Sequence, residues 1–196
     1  MKTAFRARQI TLLGLLTAIV VLMSVTPLGY LQLGPLALTF SMIPVAVAAV
    51  ALGPTGGAIV GAAFGVTSFL QAMGIGGGSP LGTALFAISP FRSFLMCFGT
   101  RLLTGFLTGL IGRIPCSRAG YLTGFAAAFL NTALFMGALV ALFGKTDYVQ
   151  ALMGGKNVIV FVCTFVGVQA VLELLASTVI TGIVIRGLER ARMLGR

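Results

Sequence analysis

From Gln9 to Phe91 the chain carries no charged side chain, and three further apolar stretches follow at about 92–112, 119–143 and 158–186. A charge-free run of that length is several times the ~20 residues that one transmembrane helix needs. Proline and glycine divide it. Thr26-Pro27-Leu28-Gly29 and the residues to Pro35 end a first span at about 9–28, and Gly53-Pro54 separates a second at 36–52 from a third at 56–73. No segment alternates apolar and polar residues with the period of two that a membrane β-barrel requires. The expected fold is all-α and integral to the membrane: a compact six-transmembrane-helix bundle, one domain over residues 1–196. The turn between the second and third spans is so short that they should form an antiparallel hairpin, and Pro44 should kink the second. Residues 74–90, with Gly76-Gly77-Gly78-Ser79-Pro80 and Ser89-Pro90, should be a partly re-entrant or interfacial loop around an apolar piece at 81–88. A polar loop at 144–157 joins the last two spans.

Composition agrees with this class: 58% of residues are hydrophobic, 8% are charged and none is His. The net charge of +10 does not mark a nucleic-acid binder, because the cations sit at span ends rather than on a soluble face with interleaved aromatics. Lys2, Arg6, Arg8, Arg113, Arg118, Arg186, Arg190, Arg192 and Arg196 fall on one side of the six spans, against Arg92, Lys145 and Lys156 on the other. By the positive-inside rule the first side, with both termini, is cytoplasmic. The basic lead Met1–Arg8 has the outline of a secretory signal, but further membrane segments and no clear small-residue cleavage site follow it, so it reads as the start of span one. The outward loops are long or rich in Gly and Pro while the cytoplasmic turns are tight. That asymmetry suggests a site open to the outside.

The costliest residue is Arg101. At ~1.5 Å per residue it lies about 14 Å from Arg92 and about 18 Å from Arg113, near the bilayer midplane, where a charge costs on the order of 3 kcal/mol or more. Asn131, twelve residues from either end of span five, and Glu173, the one acidic residue in any span, share its depth. Gln169, Glu173, Ser177 and Thr181 recur every four residues along one side of span six, as Arg101, Thr104 and Thr108 recur on span four, and Thr132 adjoins Asn131. Two readings stay open: a structural Arg101–Glu173 ion pair with hydrogen bonds that hold helices together, or a ligand site built from these side chains. A second polar set, Tyr30, Gln32, Ser68, Gln71 and Arg92, lies nearer the outside, and Arg92 is the better placed to meet an entering anion. Gly57, Gly61 and Gly65, then Gly105 and Gly109, then Gly120, Gly124 and Ala128 form small-residue seams for close helix packing.

What is missing also bears on function. There is no GxxxxGK[ST] phosphate loop, so the chain cannot use ATP by itself, and there is neither HExxH nor GxSxG. Cys97, Cys116 and Cys163 stand alone, with Cys97 and Cys163 reading as small core hydrophobes. No metal or cofactor is expected, and a membrane enzyme lacks a nucleophile–base pair. A ligand-binding transport subunit that relies on partners for energy and a self-sufficient channel or facilitator remain.

The chain resembles the substrate-binding S components of energy-coupling factor (ECF) vitamin transporters. The likeness rests on the length, six spans with both ends inside, Thr26-Pro27-Leu28-Gly29, Leu52-Gly53-Pro54 ahead of a Gly-rich span, and the intramembrane Arg101, Asn131-Thr132 and Glu173. Gly14 and Ala18 on span one are similar to the AxxxA surface by which S components dock, with Gly in place of the first Ala. The resemblance implies a non-catalytic subunit in a prokaryotic plasma membrane. Such a subunit binds its vitamin from outside and associates with a transmembrane coupling subunit and two ATPases. The Leu-Gly-Pro and Pro-Leu-Gly pattern looks closest to the pantothenate, folate, riboflavin and cobalamin branch, and the site chemistry suits pantothenate best: a small anion with hydroxyls and an amide. Arg92, Arg101, Asn131, Thr132, Gln169, Glu173, Gln71, Ser68, Tyr30 and Gln32 are the expected substrate-binding residues.

Overall fold

A computed structural model describes residues 2–26, 30–32, 37–76, 79–114, 119–155 and 157–190. Helix α1 covers Lys2–Val25, and a two-stranded antiparallel pair, β1 (Tyr30–Gln32) and β2 (Ala37–Thr39), follows it. Then come α2 (Met42–Ala72), α3 (Pro80–Ile88), α4 (Pro90–Phe94), a π-helical turn (Leu95–Gly99), α5 (Thr100–Ile111), α6 (Ala119–Phe143), α7 (Asp147–Met153) and α8 (Val158–Arg190). Among the described residues the class is all-α apart from that strand pair. Five stretches among the described residues are long and apolar enough to cross a membrane: Ala7–Val25, Met42–Ala72, Pro90–Ile111, Ala119–Phe143 and Gln169–Arg190.

Helix α2 is two helices in one run. Gly53 leaves helical space with φ 75 and ψ −166, a conformation open chiefly to glycine, and Pro54 then starts the second half at a position where a missing N–H is harmless. A Cβ built on Gly57 would lie 3.1 Å from the Cβ of Ala49. Eight residues of unbroken helix would separate them by about 12 Å. The chain therefore folds back at Gly53-Pro54, as the short turn suggested. Pro44 does not kink its helix: it falls in the first turn after Met42 and breaks no intrahelical bond.

The half from Met42 to Leu52 is only about 16 Å long, half of a hydrocarbon core ~30 Å thick. Its side chains from Pro44 to Val50 are all buried, the mark of a helix enclosed by others. The stretch expected as span two is thus an interior half-helix, with Met42, Val45, Val47 and Val50 packed among Leu16, Val20, Val60, Phe64 and Ile185.

A second apolar cluster fills the end of the bundle near Arg92. Short helices α3 and α7 close that end by inserting Leu81, Leu85, Val149 and Met153 beside Met96, Cys97, Met136, Leu139 and Phe143. The residues expected as loop at 74–90 thus hold a real helix. Ser79 caps it, with its hydroxyl accepting from the Gly82 N–H at 3.1 Å, and Pro80 takes the first position. Phe86, Phe69, Phe94 and Phe98 form a run of edge-on and stacked rings tying α3 to α2, α4 and the π-helical turn.

The small-residue seams are where helices touch backbone to backbone. Added Cβ atoms on Gly57, Gly61 and Gly65 of α2 would strike the backbone at Gly105, Arg101 and Phe98 in turn, and one on Gly109 would strike Pro54. Gly124 of α6 meets the backbone of Ser177 on α8 in the same way, with the Thr181 side chain beside it. Of the two cysteines read as core, Cys97 is buried and Cys163 is exposed; Cys116 lies outside the described residues.

Candidate functional site

Arg101 is 6% exposed and is held by α5 one turn from the Gly57–Gly105 crossing. Its Nη1 donates to Thr100 Oγ1 at 3.2 Å. Its guanidinium carbon sits over two phenyl rings, 5.3 Å from the centroid of Phe64 on α2 and 4.7 Å from that of Phe135 on α6. Cation–π contacts of this kind are worth about 2 kcal/mol when desolvated. Its Nε has no hydrogen-bond partner among the described residues.

The expected neighbours are present, with a different pairing. Asn131 and Glu173 are both 6% exposed, and Asn131 Nδ2 donates to Glu173 Oε1 at 3.3 Å. Among the described residues Arg101 makes no ion pair, with Glu173 or any other group. The structural ion pair is therefore not formed. Aromatic faces, not a carboxylate, surround the charge.

Below these three a polar column continues toward the Arg113 end. Thr104, Thr108, Thr123, Ser177 and Thr181 are buried, and Ser177 Oγ donates to the Gly124 carbonyl at 2.9 Å. This interior face matches the stripes expected on α5 and α8. Gln169 is half-buried one turn before Glu173. Thr132 parts from the group: it lines an apolar groove of about 550 Å³ between α6 and α8 with Phe129, Met136, Gly137, Ala170 and Leu174.

The outer polar set does not converge. Gln71 donates through Nε2 to the Ser24 carbonyl at 2.7 Å, and Ser24 Oγ donates to Thr67 Oγ1 at 2.9 Å, so Gln71 anchors the end of α1 to α2. Ser68 is half-buried beside it. Arg92 is exposed and donates through Nη1 to the Leu142 carbonyl at 3.2 Å, satisfying one of the orphan carbonyls at the end of α6. Tyr30 and Gln32 lie in β1, and their side chains are outside the described residues. At the other end of α1, Gly14 and Ala18 are exposed, and nothing lies within 4 Å of a Cβ built on Gly14.

Sequence reasoning missed Phe64, Phe135, Thr100 and the π turn. Phe135 stands four residues after Asn131, on the same helical face, and that spacing could have found it. Neither Phe64 nor the π turn at Leu95–Gly99, which re-aims the helix just ahead of Thr100 and Arg101, leaves a signature distinct from any buried helix; such turns recur at functional sites. Among the described residues no three His, Cys, Asp or Glu side chains converge as metal ligands would.

With five long apolar helices among the described residues and an arginine, an amide and a carboxylate buried between them, the chain is a multi-pass membrane protein with a polar cluster in its interior. The chain matches the family of ECF transporter substrate-specific components over residues 8–185, and it belongs to that family. It is therefore a substrate-binding, non-catalytic transport subunit that pairs with ECF module subunits. No individual curated protein matches it.

Proposed function

We propose that the chain captures a B vitamin, pantothenate, from outside the cell and delivers it to a coupling module made of one transmembrane subunit and two ATPases. The observation that carries this reading is Arg101: a buried cation in a spanning helix, without an ion pair among the described residues and with Nε unpartnered. A charge kept there at such cost needs a ligand to meet it. Asn131, Glu173 and Gln169 complete the floor of the pocket. Arg92, exposed about 14 Å along the same helical run, lies where an entering carboxylate arrives. Pantothenate carries a carboxylate at one end and an amide and hydroxyls along its length, groups that Arg, Asn and Gln side chains can meet.

In this reading the Arg113 and Arg186 end and both termini are cytoplasmic, the membrane is the plasma membrane of a prokaryote, and the strand pair with the half-helix Met42–Leu52 completes a sixth passage. The purified protein should bind pantothenate without ATP in titration calorimetry. Binding of riboflavin, folate or cobalamin instead would keep the class and change the cargo. No binding of any B vitamin at micromolar concentration would remove the reading.

Gly14 and Ala18 are the proposed docking surface for the coupling subunit. Their exposure on α1, beside exposed Leu15, leaves a flat strip on which a partner helix can close. Gly14→Leu should leave vitamin affinity unchanged and lower recovery of the assembled complex at least tenfold; normal co-purification with the coupling subunit would rule out this face.

A further inference from the structure

We propose that Arg101 and Asn131 together read the edge of an amide-type group on the cargo, a C=O beside an N–H as in an amide, lactam or ureide, at the floor of the site. This rests on the capture reading above and adds the chemical class of the group that is recognised.

The inference comes from two unpartnered atoms of opposite kind. Arg101 Nε–H is a donor and Asn131 Oδ1 an acceptor; both are buried, and neither has a hydrogen-bond partner among the described residues. The orientation of the Asn131 amide is set by its neighbour, because Nδ2 donates to Glu173 Oε1, which assigns Oδ1 to the other side. The two atoms belong to one neighbourhood. Phe135, whose ring lies 4.7 Å from the guanidinium of Arg101, is one turn from Asn131 on the same face of α6.

Each orphan excludes a class of ligand group. A carboxylate offers only acceptors: it would satisfy Arg101 but leave Asn131 Oδ1 unmet and bring a second negative charge toward Glu173. An ammonium offers only donors and fails at Arg101. A flat ring stacked on the guanidinium would have to displace Phe64 or Phe135, which already lie against it. An amide edge supplies an acceptor for Nε–H and a donor for Oδ1 at once, so neither buried atom is left unmet when the cargo binds. The cargo's own charge, where it has one, then faces away from the floor.

The test uses the full chain in detergent, as wild type and as Asn131→Leu, each first shown to melt cooperatively. Both are titrated with pantothenate and with the ester in which oxygen replaces its amide N–H, and both are melted without ligand. Wild type should bind pantothenate at least tenfold more tightly than the ester. Asn131→Leu should lose at least tenfold toward pantothenate and nothing further toward the ester, and without ligand it should melt below wild type, since Glu173 Oε1 loses the Nδ2 donor. Equal binding of amide and ester by wild type, or undiminished pantothenate binding by Asn131→Leu, overturns the amide readout and leaves the capture reading standing. If wild type binds neither compound, the pantothenate reading fails. In that case the amide readout, which rests on that reading, is overturned with it.

Discussion

Arg101→Ala should lower vitamin affinity by about two orders of magnitude, or ~2.7 kcal/mol, while leaving the protein folded. Two arguments set the size. Hydrogen bonds from a charged donor contribute about 1.5–3 kcal/mol each, and in this site they are made away from water, where the same contact is stronger. The fold should survive because, among the described residues, Arg101 is not one half of an ion pair. Its removal strands no carboxylate and gives up contacts with Thr100 and the rings of Phe64 and Phe135. Losing two desolvated cation–π contacts costs some stability, but removing a buried charge from a spanning helix returns some. Titration calorimetry and thermal unfolding on the same preparation separate the effects. Unchanged affinity with a large fall in melting temperature would assign Arg101 to the architecture instead.

The membrane class, the hairpin at Gly53-Pro54 and the close-packing glycine faces of α2, α5 and α6 were legible in the sequence, because each follows from a local rule. A charge-free run has few homes in a folded protein, Gly-Pro after an apolar run breaks a helix, and glycines four apart share a face. The depth of Arg101, Asn131 and Glu173 was legible for the same reason, since position along a helix is arithmetic. What the three residues do to one another was not. Depth says nothing of rotation, and rotation decided that Asn131 meets Glu173 while Arg101 turns to Phe64 and Phe135. Thr132 shows the limit most plainly: it shares the depth of Asn131, but one residue on a helix is a turn of about 100°, which carries it to the groove between α6 and α8. The interior half-helix was illegible for a different reason. Met42–Leu52 is as apolar as a lipid-facing helix, so composition could not tell burial in protein from burial in lipid.

Gly105→Ala should destabilise the protein by about 3 kcal/mol or more, and Gly105→Leu should prevent recovery of folded protein altogether. A Cβ on Gly105 would overlap the Gly57 carbonyl oxygen and come within 2.7 Å of its carbon. Those atoms are backbone, which no rotamer change can move aside. The helices must separate instead, and overpacking of this sort typically costs 1–3 kcal/mol even where side chains can adjust. Without a hydrophobic force between helices in lipid, the close approach of α2 and α5 is itself what holds them together, so separation removes the attraction it depends on. The consequence reaches the site, because Arg101 stands one turn from Gly105 and its backbone oxygen lies 2.5 Å from where a Cβ on Gly61 would be. Widening the seam moves Arg101 away from Phe64, and vitamin affinity should fall together with stability in Gly105→Ala. Gly14→Ala is the matched control: the same added methyl, on a helix position with nothing within 4 Å, should leave the melting temperature unchanged. Equal stability of the two alanine variants would show that the α2–α5 seam yields more easily than backbone contact allows.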